Sequence, residues 1–159
     1  MAMGELLYEG KAKKIFSTGN PDQVVQYFKD DATAFNAQKR GTILEKGVIN
    51  NKVSERLFQL LEQNGIRTHF VERSNDREML TKKVRIVPIE VVVRNVVAGS
   101  LAKRLGLKEG NRIDPAVVEF YYKNDGLGDP LVNDDHLRLM NVATPGVLRE
   151  LRELGHAVN

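Results

Sequence analysis

The sequence predicts an α+β fold in two parts: a small, mostly antiparallel sheet with one covering helix, then the start of a larger α+β lobe. Three observations carry this. Short apolar–polar runs separated by turn residues fill the first third, a helical stripe over residues 48–63 follows them, and a β-branched run, Ile86 to Val97, opens what comes next. Residues 1–84 form the first lobe and residues 85–159 the second.

Residues 6–9, 13–18 and 23–30 read as strands, with Gly19-Asn20-Pro21-Asp22 as the turn between the last two. Residues 31–46 are polar and punctuated, which predicts a loop. Residues 48–63 predict a helix whose stripe is Val53, Leu57, Leu60 and Leu61, stopped by Asn64-Gly65. Thr68–Arg73 and Glu78–Val84 follow as strands around the turn Ser74-Asn75-Asp76. Lys82 to Val87 is then the bridge into the second lobe. There, Val117–Lys123 predicts a strand, Asn124–Pro130 a loop, Asn133-Asp134-Asp135 the cap of a short helix, and Thr144-Pro145 the start of a last helix with the stripe Val147, Leu148, Leu151 and Leu154.

Composition narrows the functional classes. The 159 residues are 42% hydrophobic, as in a soluble globular protein, and no run is long enough to span a membrane. Charges at Glu5, Glu9 and Lys11 interrupt any secretory pattern near the start. With no cysteine there is no disulfide, thiol catalysis or thiolate metal site. His69, His136 and His156 lack ligand spacing and read as surface or structural residues. A net charge of +3 with dispersed basic residues suits anionic small molecules and does not call for nucleic acid.

The run Ile86–Ser100 is the most informative stretch. It reads as a strand buried on both faces, yet it carries Glu90 and Arg94. Both fall on one face, roughly 13 Å apart, too far to pair with each other. Each therefore needs another partner, since an unpaired buried charge is costly. Gly99 and Ser100 then lead into a short helix, Leu101 to Leu105, closed by Gly106. Ser100 fits its N-cap, the free amides there suit an anion, and Arg94 adds a planar fork. A strand with ordinary ion pairs and an ordinary capped helix accounts for the same letters.

Three further clusters could carry chemistry. Gly10-Lys11-Ala12-Lys13 places two lysines on one face if the strand is extended, and Gly10 lets backbone approach a ligand; a solvated basic strand is the plainer account. Lys82-Lys83-Val84 could present backbone groups to a planar base or be a linker. Lys123, Asn124, Asp125 and Asp129 could meet magnesium or ribose hydroxyls, or merely form turns.

Val87-Pro88-Ile89-Glu90, then Val92-Val93-Arg94 and Ala98-Gly99-Ser100, resembles a signature of the phosphoribosylaminoimidazole-succinocarboxamide synthase (SAICAR synthetase) family. Leu7 to Lys13, Gly47-Val48-Ile49-Asn50-Asn51-Lys52 and Lys123-Asn124-Asp125 with Asp129-Pro130 agree in order and spacing, so the resemblance spans essentially the whole chain. It implies a cytoplasmic ATP-dependent ligase of purine biosynthesis, with a first lobe similar to the small lobe of protein kinases and ATP in the cleft between lobes. Carboxyaminoimidazole ribonucleotide and L-aspartate would be joined through an acyl phosphate, with ATP as co-substrate and magnesium required. The resemblance gives Lys13 and Arg94 catalytic roles. Gly10, Lys11, Lys13, Lys82, Val84, Lys123 and Asp129 would bind the nucleotide, and Arg94, Gly99 and Ser100 the substrate. It names no metal ligands here, leaves Glu90 and the aspartate site unassigned, and leaves a homodimer open. No nucleic acid or membrane is implied.

Family members are longer. Their Asp-x-Lys-x-Glu-Phe-Gly stretch does not occur in these letters, so the chain is expected to correspond to the N-terminal part of the enzyme. A different ATP-dependent phosphotransferase would be expected to show H-R-D or D-F-G, and neither occurs. A non-enzymatic phosphate- or RNA-binding module would bind nucleic acid salt-sensitively and ignore ATP.

Overall fold

The computed structural model describes residues 3–34 and 39–159. The chain divides into two compact units, Met1–Arg85 and Ile86–Asn159, each taken by itself below.

The first unit is built on a five-stranded antiparallel sheet. Its strands are β1 (Leu6–Glu9), β2 (Lys13–Ser17), β3 (Gln23–Phe28), β6 (Phe70–Arg73) and β7 (Glu78–Lys82), in the spatial order β1-β2-β3-β7-β6. The turns form where the sequence places side chains able to bond their own backbone. Asn20 Oδ1 accepts from the Asp22 N–H at 2.9 Å, and Asn75 Oδ1 accepts from the Arg77 and Glu78 N–H groups at 2.9 and 3.0 Å.

The expected loop at 31–46 is instead largely a hairpin of β4 (Asp31–Ala34) and β5 (Lys39–Thr42), paired Asp31 to Thr42 through Ala34 to Lys39; residues 35–38 lie outside the described residues. Backbone pairing over four residues a side needs no apolar alternation, so composition hid it.

The helix α1 (Lys46–Gln63) ends at Asn64 and Gly65, with φ +79° at the glycine. Its docking face differs from the predicted one. Val53, Leu57 and Leu60 are all exposed, whereas Gly47 and Asn51 are buried and Phe58 packs on the core of Phe28, Phe70 and Met79. Asn51 is held inside because its Nδ2 donates to the Asn75 and Glu78 carbonyls. Gly47 is required for close approach: a Cβ there would lie 2.4 Å from the Phe28 carbonyl oxygen. The helix thus docks through a small residue and an amide, a combination an apolar stripe does not reveal.

The second unit has a three-stranded antiparallel sheet ordered β10-β9-β8, from β8 (Ile89–Val96), β9 (Arg112–Tyr122) and β10 (Leu131–Val132). Around it lie α2 (Gly99–Leu105), α3 (Asp134–Leu139) and α4 (Pro145–Val158). Asn133 caps α3 in a capping box with His136, and Thr144 caps α4 ahead of Pro145. Leu137 and Leu148 meet Phe120 in the core, with Ile89, Val91 and Leu151 packed on it.

The β8 strand is not buried on both faces. Its odd residues face that core, while its even residues share the other face with Val117, Glu119 and Tyr121 of β9 through the register Glu90–Tyr121, Val92–Glu119 and Arg94–Val117. A three-stranded antiparallel sheet needs only one covered face, so the β-branched run reflects strand propensity more than burial.

Candidate functional site

In the second unit, the polar face of the sheet carries nearly every charged residue the sequence singled out. Arg94 lies at one end. Its Nε donates to Glu119 Oε2 at 2.6 Å, and its Nη2 donates to Ser100 Oγ at 3.1 Å and Tyr121 Oη at 3.2 Å. Its Nη1 makes no hydrogen bond to a described residue. Glu119 is thus the partner Arg94 needed. The bond that Arg94 donates to the Glu119 carboxylate, joined by the one it donates to Tyr121, raises the Arg94 pKa, so the guanidinium stays charged. Burial works to raise the Glu119 carboxyl, but bonds from Arg94 and Tyr121 and the neighbouring guanidinium charges outweigh it and hold the group below the ordinary glutamate value.

The turn out of β8 differs in detail from expectation. Ala98, not Ser100, is the N-cap of α2, and its own side chain makes no capping bond. Gly99 takes φ +54°, and the helix starts two residues earlier than expected, which leaves Ser100 inside the first turn. The hydroxyl released from capping accepts from Arg94, so its own proton can serve a ligand oxygen. The Gly99 N–H donates to Glu109 Oε1 at 2.9 Å, so one amide of this helix start has an internal carboxylate partner.

At the other end of the same face, Lys123 lies 2.6 Å from Asp129 and 3.6 Å from Glu90. Asp129 also accepts from the Asn124 N–H at 2.8 Å and has φ +47°, so its carboxylate closes the 124–129 loop as well as facing Lys123. The bond that Lys123 donates to the Asp129 carboxylate raises the Lys123 pKa. Glu90, unassigned from sequence, is a half-exposed partner of Lys123.

In the first unit, Gly10 and Lys11 lie in the β1–β2 turn, closed by the Gly10 N–H donating to the Lys13 carbonyl at 2.9 Å. Lys11 precedes β2, so it does not share a strand face with Lys13: the hairpin turn interrupts the alternation. Lys13 opens β2 and sets its ammonium 5.3 Å from the centroid of the Phe28 ring. Burial of that ammonium lowers its pKa. Lys82 ends β7, paired with Gln23, and donates to the Thr68 carbonyl at 3.3 Å; it belongs to the sheet, not to the bridge. Val84 lies beyond the strand and is exposed.

His69 joins this basic group without any sequence signal. Burial lowers its pKa first, and the Lys13 and Lys82 charges lower it further. Its ring packs edge-on against Phe58 at 5.0 Å, which only the docking of α1 brings about.

No group of three or more acidic or histidine side chains suited to a metal ion forms among the described residues, and no described helix is long and apolar enough to cross a membrane.

Residues 6–159 match the SAICAR synthetase family model. The phosphoribosylaminoimidazole-succinocarboxamide synthase of Clostridium botulinum (strain Okra) is 55% identical over all 159 residues, which span 68% of its length. Among solved structures, the synthase of Ehrlichia chaffeensis superposes with a TM-score of 0.92 at 46% identity, covering 98% of this chain and 65% of that one. A SAICAR synthetase in complex with ADP gives a TM-score of 0.87 at 41% identity, covering 97% and 66%. The chain thus spans about two thirds of the length of the relatives it matches. The family-model match over residues 6–159 and a relative 55% identical along the whole of this chain place it in the SAICAR synthetase family, whose members are ATP-dependent ligases of purine biosynthesis.

Proposed function

We propose that this chain carries the nucleotide- and substrate-binding residues of an enzyme that joins L-aspartate to carboxyaminoimidazole ribonucleotide, consuming ATP. The observation that carries the substrate half is the Arg94 corner. Two of the three guanidinium nitrogens are tied down by Glu119, Tyr121 and Ser100, so the third is held in a fixed direction beside a hydroxyl that can donate. A preoriented fork of this kind suits a carboxylate or phosphate oxygen pair.

A carboxylate is a poor acylating agent. In the reaction proposed, a carboxylate oxygen of the ribonucleotide takes the γ-phosphoryl group of ATP, giving ADP and an acyl phosphate. The aspartate amine then attacks the acyl carbon, phosphate leaves with its C–O bond, and the amine loses a proton as the amide forms. Most of the catalysis is positioning and charge neutralisation. Lys11 and Lys13, at the Gly10 turn, would neutralise nucleotide phosphates, and Lys82 and Val84 would border the base. Lys123 and Asp129 would lie beside the nucleotide's ribose, and Arg94, Gly99 and Ser100 would hold the ribonucleotide. Magnesium would supply further charge to the phosphates. An ADP complex of a relative 41% identical supports the nucleotide half. A cytoplasmic setting accords with a biosynthetic enzyme.

Ligand-induced shifts in melting temperature test both halves. A ligand at 100 times its Kd adds about 2.7 kcal/mol to the native state. ADP and carboxyaminoimidazole ribonucleotide are each expected to raise the transition. Arg94→Ala should abolish the ribonucleotide shift and spare the ADP shift; Lys13→Ala should do the reverse. Neither ligand shifting the unsubstituted protein would overturn the reading.

A further inference from the structure

Arg94 is not the sole cation held by Glu119. Arg104, on α2, donates through Nη2 to Glu119 Oε1 and through Nη1 to Tyr121 Oη at 3.2 Å. Tyr121 Oη in turn donates to Glu119 Oε2 at 3.0 Å. Two guanidiniums therefore share the same two acceptors, and one net positive charge is left over. Like charges this close repel unless a counter-charge lies between them, and the Glu119 side chain, only 8% exposed, fills that place. Ser100 and Arg104 are four residues apart on α2 and so lie on one side of it. Arg94, Ser100 and Arg104 thus converge, and Arg94 Nη1 and Arg104 Nε make no bond to a described residue. A structural ion pair needs one arginine; the second leaves a charge excess that an oxyanion would balance.

We propose that Glu119 is a positioning residue that clamps Arg94 and Arg104 into one paired receptor, and that Arg104 binds the same substrate oxyanion as Arg94. The proposal rests on the assignment of the Arg94 corner to the ribonucleotide. Tyr121 completes the clamp by bonding both guanidiniums and the carboxylate, so none of the three can rotate away alone. Glu119 itself need not touch substrate.

Calorimetric Kd values for carboxyaminoimidazole ribonucleotide and for ADP, with melting temperatures, test this on the 159-residue chain. Arg104→Ala and Glu119→Gln are each expected to weaken the ribonucleotide about 10-fold or more and leave ADP unchanged. If Glu119→Gln leaves the ribonucleotide Kd unchanged, or weakens ADP equally, Glu119 does not position the two arginines for substrate and the proposal fails. Ribonucleotide binding unchanged in Arg104→Ala but lost in Arg94→Ala overturns the paired receptor alone. Binding unchanged in Arg94→Ala overturns the substrate assignment, and the clamp with it.

Discussion

Gly47→Ala tests how α1 is seated and what that seat does for Lys13. An alanine in a helix is ordinarily favoured over glycine by about 1 kcal/mol. Here the added Cβ would lie 2.4 Å from the Phe28 carbonyl oxygen, 2.8 Å from Arg77 Nη1 and 2.9 Å from the Phe28 carbonyl carbon. Relief needs a movement of about 1 Å to reach ordinary van der Waals separation. The yielding groups are a strand backbone and a guanidinium held by Asp30 through both nitrogens, at 2.7 and 2.9 Å. The Gly47 N–H itself donates to Asp30 Oδ1 at 2.9 Å, so helix, strand and ion pair meet at one point. Overpacking of this kind costs about 1–3 kcal/mol. For a chain of this size that lowers the melting temperature by about 2–12 °C. Because Phe28 carries the Lys13 ammonium, ADP affinity should fall as well. Circular dichroism melting against Gly19→Ala, where a Cβ meets nothing within 4 Å, supplies the comparison. A Gly47→Ala protein as stable as the Gly19→Ala one would refute the docking described for α1.

Other outcomes follow from single residues. The Asp30 carboxyl is lowered from 3.8 to about 2 by its bond from Arg77 and then by the Gly47 N–H. A carboxyl depressed on folding contributes stability that is complete above its unfolded value and lost as pH falls. Melting temperature should therefore drop between pH 3.8 and about 2, and Asp30→Asn should flatten that interval while lowering stability at neutral pH. Leu137 is fully buried against Phe120 and Leu148, so Leu137→Ala should cost about 2–5 kcal/mol by denaturant unfolding. A cost under 1 kcal/mol would mean that α3 does not close this core.

Much of the fold was legible because its signals are local. Asn20, Asn75, Asn133 and Thr144 each bond backbone within three residues, so turns and caps can be placed from the letters. The stops at Gly65 and Gly106 are legible for the same reason, since both adopt positive φ. Contacts set by tertiary docking were not. The face of α1 that meets the sheet is chosen by the smallness of Gly47 and the hydrogen bonds of Asn51, and an apolar stripe points the other way. Arg94 and Glu90 could be put on one face by alternation, but the identity of their partners depends on strand register. Glu119 is 25 residues from Arg94, and Tyr121 and Arg104 reach the same point from another strand and a helix. His69 enters the basic group only because α1 and β6 fold against each other.

If Arg94 is the substrate anchor proposed above, the polar face of the second unit's sheet receives a substrate oxyanion there. A crystal structure of the protein with carboxyaminoimidazole ribonucleotide tests it most directly. A phosphate or carboxylate oxygen is expected within about 3 Å of both Arg94 Nη1 and Ser100 Oγ, with the Arg94–Glu119 pair intact. A ribonucleotide bound elsewhere, with Arg94 facing only solvent and its own glutamate, would contradict it.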